Sequence, residues 1–194
     1  MTSEEFTDME QKYYHMTIAG CERDLPLCPL NEDLMIAGFV MLGDTELTEA
    51  CAEALCPMLP AHDVLITAEA KGIPLICAMA RRLGEDRYIV ARKKPKLYMK
   101  ELLKCEVSSI TTEGSQCLYL DGSDAELMRG KRVVIVDDVI STGQSLHALE
   151  ELVKMAGGQI VAKVAVLAEG KAIERDDIRY LAPLPLFDSE GNPL

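Results

Sequence analysis

Residues 133–145 read Val-Val-Ile-Val-Asp-Asp-Val-Ile-Ser-Thr-Gly-Gln-Ser, and this stretch decides the fold. Its first four residues are β-branched, which is typical of a central strand that is covered on both faces. Gly143 permits backbone conformations that a side chain would forbid, and a helix is predicted to begin near Gln144. The stretch therefore predicts a buried strand, a tight loop and a helix in immediate succession.

The loop after the predicted strand combines small hydroxyl side chains with the unpaired backbone N–H groups of a helix N-terminus. A loop of this kind binds phosphate, because the N–H groups and the helix dipole both favour an anion. The candidate phosphate-binding residues are Ser141, Thr142, Gly143, Gln144 and Ser145.

Two adjacent carboxylates, Asp137 and Asp138, stand at the end of the predicted strand, directly before this loop. They do not hold the phosphate themselves, since like charges repel. Carboxylates accept hydrogen bonds from sugar hydroxyls and also bind Mg²⁺. A phosphate loop on one side and acceptors for a diol on the other predict a ribose 5-phosphate site.

The composition is that of a globular protein. With 194 residues, 48% of them hydrophobic, the chain suits one domain with a sizeable core. No apolar run approaches the length of a membrane span, and the acidic start, residues 1–6, does not resemble a secretory signal or a transit peptide. The seven cysteines form no C-x-x-C pair and the three histidines lack metal-ligand spacing. We therefore expect reduced thiols in a cytoplasmic protein without a zinc site.

The charge is strongly negative overall but unevenly distributed. A net charge of −12 disfavours binding to nucleic acid. Six basic residues nevertheless lie within residues 92–104, and they are Arg92, Lys93, Lys94, Lys96, Lys100 and Lys104. Such a segment is either a solvated surface loop or a mobile arm that meets a polyanionic small molecule.

Strand and helix patterns alternate along the chain. Strands are predicted over 35–42, 64–67, 87–92, 132–137 and 160–167, a hairpin over 106–110 and 116–120, and helices over 46–58, 73–83, 125–128 and 144–156. Residues 1–34 read as irregular and polar. The repeated β-α-β pattern predicts an α/β fold with a largely parallel sheet flanked by helices. Ligands of such sheets bind at the carboxyl ends of the strands, so the loops 68–72, 92–104 and 137–145 are expected to meet at one edge.

Three segments resemble one known family. Residues 133–143 resemble the PRPP-binding signature of type I phosphoribosyltransferases. Glu69-Ala-Lys-Gly72 resembles the pyrophosphate loop of adenine phosphoribosyltransferases, and residues 92–97 are similar to the basic stretch that opens their flexible loop. The chain thus looks like a member of the adenine phosphoribosyltransferase-like branch, which also includes xanthine phosphoribosyltransferase and PRPP-sensing purine repressors.

The resemblance implies a reaction and a set of site residues. The reaction is transfer of the phosphoribosyl group of PRPP to a purine base, adenine favoured, with Mg²⁺ and release of pyrophosphate. Residues 141–145 are then expected to hold the 5-phosphate, while Asp137 and Asp138 accept from the ribose hydroxyls. The expected pyrophosphate-binding residues are Ala70, Lys71, Gly72, Arg92, Lys93 and Lys96. The resemblance also implies a homodimer and the type I phosphoribosyltransferase fold, with a small N-terminal cap and a flexible β-hairpin loop.

The base-binding part departs most from the family pattern. Adenine enzymes place a Tyr-x-x-Glu in the flexible loop, where the Glu assists the base. Tyr98-Met-Lys-Glu101 matches this pattern but lies earlier in the chain than expected, and Glu113 is nearer the expected distance from the central strand. We therefore favour Glu113 over Glu101 as a third catalytic residue, beside Asp137 and Asp138. The whole chain, 1–194, is interpreted as one domain with a core over 35–182. Residues 1–34 and the C-terminal tail are the candidate base-binding cap, in which Phe187 either stacks on a base or packs in the core.

Two alternatives remain open. The first keeps the chemistry and changes the acceptor to xanthine, another 6-oxopurine or a pyrimidine. The second is a non-catalytic PRPP sensor. Sensors among the relatives carry an added winged-helix DNA-binding domain, for which the residues before Met35 are too few, and the net charge also opposes DNA binding.

Overall fold

The computed structural model describes residues 11–107 and 116–194. In chain order the strands are β1 (Tyr13–Ile18), β2 (Cys21–Pro29), β3 (Leu34–Ala37), β4 (Val64–Ala68), β5 (Ile89–Ala91), β6 (Leu103–Val107), β7 (Gln116–Leu120), β8 (Arg132–Ile140), β9 (Gln159–Glu169), β10 (Arg179–Leu184) and β11 (Phe187–Asp188). The helices are α1 (Thr45–Leu55), α2 (Ile73–Leu83), α3 (Gly122–Met128) and α4 (Gln144–Met155). None of these helices is long and apolar enough to cross a membrane.

A five-stranded parallel sheet in the order β10-β9-β8-β4-β5 forms the centre of the molecule. The side chains of β8 alternate between two hydrophobic clusters. Val134 and Val136 pack in the cluster that contains the apolar faces of α1 and α2. Val133 and Ile135 pack in the cluster that contains α3, α4 and the hairpin strand β7. This confirms the predicted α/β fold, because a strand that is apolar on both faces requires a layer on each side.

A second, four-stranded sheet in the order β1-β2-β3-β11 adjoins the first cluster. The expectation that residues 1–34 are irregular is therefore wrong for 13–29. Met16 and Ile18 on β1 are buried and alternate with exposed residues, and Leu25 and Leu27 do the same on β2. This period of two is the signal of a half-buried hairpin.

Several predicted bounds shift in the structure. The strand expected over 35–42 covers only Leu34–Ala37, and the central strand runs past Asp137 to Ile140. The hairpin begins at Leu103, and β6 pairs with β7 in an antiparallel ladder up to Val107 and Gln116. The helix predicted over 46–58 ends at Leu55 and continues as a 3₁₀ turn, Cys56–Met58, because Pro57 cannot donate to the α-helical ladder.

The second sheet is fixed to the central one by polar and apolar contacts. Asp44 caps α1 by accepting from Leu47 N at 3.0 Å. The same carboxylate accepts two hydrogen bonds from Arg23 of β2, at 2.7 Å from Nε and 3.0 Å from Nη2. Phe187 of β11 has no exposed surface and packs edge-on against Tyr14, with ring centroids 5.0 Å apart. The second sheet and the central sheet therefore share one hydrophobic interior.

We predict that Phe187→Ala lowers the free energy of unfolding by about 3–5 kcal/mol, because it leaves a cavity in a fully buried site. Tyr13→Ala is the matched control, since Tyr13 is an aromatic of the same sheet with 59% of its surface exposed, and it should cost less than about 1 kcal/mol. Urea unfolding of both variants measures the difference. Equal effects would contradict the packing described above.

Candidate active site

The predicted site residues meet at the carboxyl edge of the parallel sheet. The segment 69–72 follows β4, Arg92 and Lys93 follow β5, and the loop 141–143 follows β8. Since these strands are parallel and neighbouring, their carboxyl ends lie side by side. The expectation that the three loops gather at one edge is confirmed for 68–72 and 137–145, and for the start of the segment 92–104, where Lys93 lines the cavity.

Two adjoining cavities occupy this edge. The larger, of about 410 Å³, is lined by Ala68, Glu69, Ala70, Lys71, Lys93, Cys117, Leu118, Asp137, Asp138, Val139 and Ser145. The smaller, of about 110 Å³, is lined by Asp137 and by residues 139–146. Asp137, Val139 and Ser145 line both cavities. The hydroxyl-rich loop, the carboxylates and the turn after β4 therefore line two neighbouring cavities.

The two carboxylates are buried in the last part of β8. The backbone N–H of Asp138 donates to Asp137 Oδ1 at 3.0 Å. Oδ2 of Asp138 is buried and has no hydrogen-bond partner within the described part of the chain. An unpaired buried acceptor of this kind indicates a missing donor, such as a ligand hydroxyl or a cation.

Burial and the neighbouring Asp138 carboxylate raise the pKa of Asp137 to about 8, and Lys71 acts in the opposite direction. Below about pH 8 Asp137 therefore holds its proton in the free protein, because two ionised carboxylates are disfavoured at this buried position. A ligand that brings positive charge or hydroxyl donors to these oxygens is favoured there.

The turn after β4 depends on the absence of a side chain at Gly72. A Cβ at this position would lie 2.2 Å from Thr67 Oγ1, far inside the van der Waals limit. The peptide bond between Glu69 and Ala70 is cis, and Ile73 N donates to Ala70 O at 3.2 Å. Gly72 is the N-cap of α2, so the positive end of this helix directly follows Ala70 and Lys71, which line the larger cavity.

The basic residues of the segment 92–104 occupy different positions. Lys93 lines the larger cavity. Arg92 instead pairs with Glu69, with Nη2 3.4 Å from Oε1, and its backbone exchanges two 2.8 Å hydrogen bonds with Tyr119. Glu69 also accepts from Lys93 N at 3.1 Å. Lys96 does not line the cavity, and its backbone N–H donates to Met99 Sδ.

Glu69 is a site residue to which sequence reasoning gave no role, although its position in the Glu-Ala-Lys-Gly stretch was visible. It connects the turn after β4 to the residues after β5. Cys117 and Leu118 of β7 also line the cavity, and this could not be read from the hairpin pattern because β7 packs here through tertiary contacts.

Two of the residues considered for the base, Glu101 and Phe187, do not line the cavity. Glu113 lies outside the described residues. Glu101 lies beside Gly122 and lines a separate surface cavity with Tyr98 and Asp121. Phe187 is buried against Tyr14, so its ring presents no exposed face to a base. Of the two roles predicted for Phe187, the structure therefore shows packing in the core and not an exposed ring on which a base could stack.

The chain is similar to proteins of one family. The family described as "Phosphoribosyl transferase domain" matches residues 60–182. The chain is 36% identical over 129 residues to a hypoxanthine/guanine phosphoribosyltransferase of Methanosarcina barkeri, covering 66% of this chain and 64% of that protein. It thus spans less than two thirds of that relative, and 53% of the protein of the same name from Methanosarcina acetivorans.

Adenine phosphoribosyltransferases are similar over a longer part of the chain. The protein of this name from Thermotoga sp. is 28% identical over 166 residues, covering 82% of this chain and 94% of the relative. The crystal structure of adenine phosphoribosyltransferase from Thermoanaerobacter pseudethanolicus superposes with a TM-score of 0.68 at 25% identity, covering 82% of this chain and 95% of the other.

We predict that Gly72→Ala destabilises the protein by about 1–3 kcal/mol, because the new methyl group collides with Thr67 Oγ1. Thr67→Ala removes that oxygen, so adding it to Gly72→Ala should recover part of the loss. Urea unfolding of the wild type, both single variants and the double variant gives the coupling energy. Additive losses would show that the collision is not the reason for glycine here.

We also predict that Asp137→Asn stabilises the fold increasingly as pH rises. Asp137 has an ordinary pKa near 4 in the unfolded chain and a raised one in the folded chain. The folded state therefore holds a proton that the unfolded state has lost, and its stability falls as pH rises from about 4 to about 8. The variant lacks this titration. Its stability relative to wild type, measured by urea unfolding, should increase by more than about 1 kcal/mol between pH 5 and pH 8. A constant difference would contradict the raised pKa.

Proposed function

The chain belongs to the phosphoribosyl transferase family, and we propose that it transfers the 5-phosphoribosyl group of PRPP to a purine base. The products are a purine nucleotide and pyrophosphate, which is a reaction of purine salvage. The observation that carries this proposal is the pair of neighbouring cavities that share Asp137, one lined by the loop 141–145 and the other by Asp138, Ala70 and Lys71. PRPP has the same order of groups, with a phosphate and a pyrophosphate on either side of a ribose diol.

The 5-phosphate occupies the smaller cavity. The loop 141–145 offers backbone N–H groups at the start of α4 and the hydroxyls of three of its residues. Gly143, with φ of +79°, is the N-cap and gives the loop its tight curvature. The loop itself carries no charged side chain.

The ribose lies over the carboxylates. Asp138 Oδ2 is the unpaired acceptor for a ribose hydroxyl, and Asp137 accepts from the other. Each charge-assisted hydrogen bond contributes about 1.5–3 kcal/mol. These carboxylates also stabilise the positive charge that develops on the ribosyl carbon as pyrophosphate leaves, because buried charges act strongly on a nearby transition state.

The leaving pyrophosphate is bound by Lys71, Lys93 and the backbone of the turn 70–72. Arg92 is held by Glu69 and contributes to pyrophosphate binding by positioning Lys93, whose backbone N–H donates to the same Glu69. Lys96 and Glu113 remain candidate contacts to pyrophosphate and to the base, respectively. Mg²⁺ would enter the site with PRPP and without a direct protein ligand; the buried carboxylates of Asp137 and Asp138 fit a cation nearby, and the ion would offset the charge of the pyrophosphate.

The acceptor base is the finer part of the proposal. We favour adenine, because the relatives and structures of that name match over the greater part of the chain. Hypoxanthine or guanine is the second candidate, supported by the 36% identity to the Methanosarcina barkeri protein. Xanthine, and a role as a non-catalytic PRPP sensor, complete the alternatives. The sheet β1-β2-β3-β11 is the proposed base-binding cap.

We further propose a cytoplasmic homodimer. All seven cysteines carry free thiols, which is the usual state in a reducing compartment. Leu97 and Tyr98, in the segment after β5, are apolar and largely exposed, as expected for residues that a partner subunit covers.

We predict Mg²⁺-dependent release of pyrophosphate from PRPP with one purine of a panel of five bases, which are adenine, hypoxanthine, guanine, xanthine and uracil. A coupled pyrophosphate assay with each base measures this and identifies the acceptor. Activity with uracil alone would overturn the choice of a purine. Binding of PRPP without release in any of the five reactions would identify a sensor.

The double variant Asp137→Asn/Asp138→Asn is the control for the site. It should lose pyrophosphate release while its circular dichroism spectrum and its cooperative unfolding remain. Retained activity would show that the ribose does not lie over these carboxylates.

A further inference from the structure

Arg175 lies against the phosphate loop from a distant part of the chain. It follows the short 3₁₀ turn Gly170–Glu174, which comes directly after β9. A Cβ at Gly143 would lie only 3.0 Å from Arg175 Nη1, so the guanidinium contacts the loop at its central residue. The Arg175 side chain is 34% exposed. It therefore remains open to a ligand while most of its surface is packed.

The guanidinium is held in a fixed orientation by one carboxylate. Arg175 Nε donates to Asp177 Oδ1 at 2.8 Å, and Nη2 donates to Asp177 Oδ2 at 2.7 Å. This bidentate pair leaves the Nη1 amino group, the one nearest to Gly143, without a hydrogen-bond partner in the part of the chain that the structure describes. Arginine in such a fork loses little conformational freedom when its remaining donor binds an anion.

The Arg175–Asp177 ion pair is also anchored to α4, the helix that follows the phosphate loop. Lys163 of β9 bonds to Asp177 and, at 2.8 Å, to Glu150 Oε1 of α4. Both Lys163 and Glu150 are largely buried side chains. Arg175 is thus fixed relative to α4, whose N-cap is Gly143. The ion cluster maintains the position of the guanidinium beside the loop.

The charge balance of the loop explains why a cation is needed there. A bound 5-phosphate is a dianion in a loop with no charged side chain, and Asp137 lines the same small cavity. Hydrogen bonds from the loop alone leave the two negative charges of the phosphate without a formal positive charge to offset them. The described cations at the larger cavity, Lys71 and Lys93, lie at the opposite, pyrophosphate end.

We propose that Arg175 is a further binding residue for the 5-phosphate, acting through its Nη1 group and its positive charge at the Gly143 side of the loop. This inference rests on the proposed function, because it assumes that the loop 141–145 holds the phosphate of a ribosyl ligand. It assigns to the 5-phosphate a cation that is separate from the pyrophosphate-binding lysines.

The test compares two ligands that occupy the two ends of the site. Ribose 5-phosphate probes the loop 141–145, and pyrophosphate with Mg²⁺ probes the turn 70–72. Isothermal titration calorimetry measures the dissociation constant of each with wild type, Arg175→Gln and the control Arg129→Gln. Arg129 is an exposed arginine beside Gly157, at the other end of α4, and it pairs with Glu126 on the surface.

Arg175→Gln should weaken ribose 5-phosphate by about tenfold or more, as expected for the loss of a charge-assisted hydrogen bond, and leave pyrophosphate within about twofold. Arg129→Gln should change neither. If Arg175→Gln leaves ribose 5-phosphate unchanged, or weakens both ligands equally, the assignment is overturned. If wild type binds pyrophosphate but not ribose 5-phosphate, the phosphate loop is misassigned. If wild type binds neither, the proposed function fails independently of Arg175.

Discussion

The burial of two adjacent carboxylates at the end of β8 is the constraint on which the site depends. The strand is apolar on both faces from Val133 to Val136 because helices cover it on both sides. The same burial continues through Asp137 and Asp138, so the strand carries two acidic groups into a region where charge is poorly solvated. This arrangement raises the pKa of Asp137 and leaves Asp138 Oδ2 without a partner. We expect ligands with hydroxyl donors or positive charge to bind here, because they offset this cost to the fold.

The surrounding backbone offsets part of that cost. Two helices begin at this edge, α2 at Gly72 and α4 at Gly143, so their positive ends approach the carboxylates. The two glycines serve different purposes. Gly143 is required by its positive φ, whereas Gly72 has an ordinary φ and is required by its close approach to Thr67. A parallel sheet is what brings both helix starts to the same side, since each follows the carboxyl end of a strand.

Features that depend on neighbouring residues in the chain could be predicted from the sequence, whereas contacts between distant segments could not. The strand, carboxylates and loop of 132–145 are local, so hydrophobic pattern and turn chemistry sufficed. The hairpin of β1 and β2 also had a local signal, but the prolines at 26 and 29 suggested irregular structure. Pro26 in fact pairs with the first residue of β1, Tyr13, and Pro29 is the last residue of β2. The pairing of Arg92 with Glu69, and the contact of Arg175 with Gly143, join distant segments and leave no local pattern.

The candidate site and the proposed base-binding sheet lie in different parts of the chain with respect to the family match. The family match covers residues 60–182, which contain the turn after β4, the carboxylates and the phosphate loop. The sheet β1-β2-β3-β11 lies outside that range, and its strand order depends on β11 returning from the C-terminal end to pair with β3. A ribosyl-phosphate site can therefore be common to relatives that are named for different purines. We therefore expect side chains of this sheet and of the hairpin β6-β7 to select the purine, because they can change without disturbing the strands that hold the carboxylates.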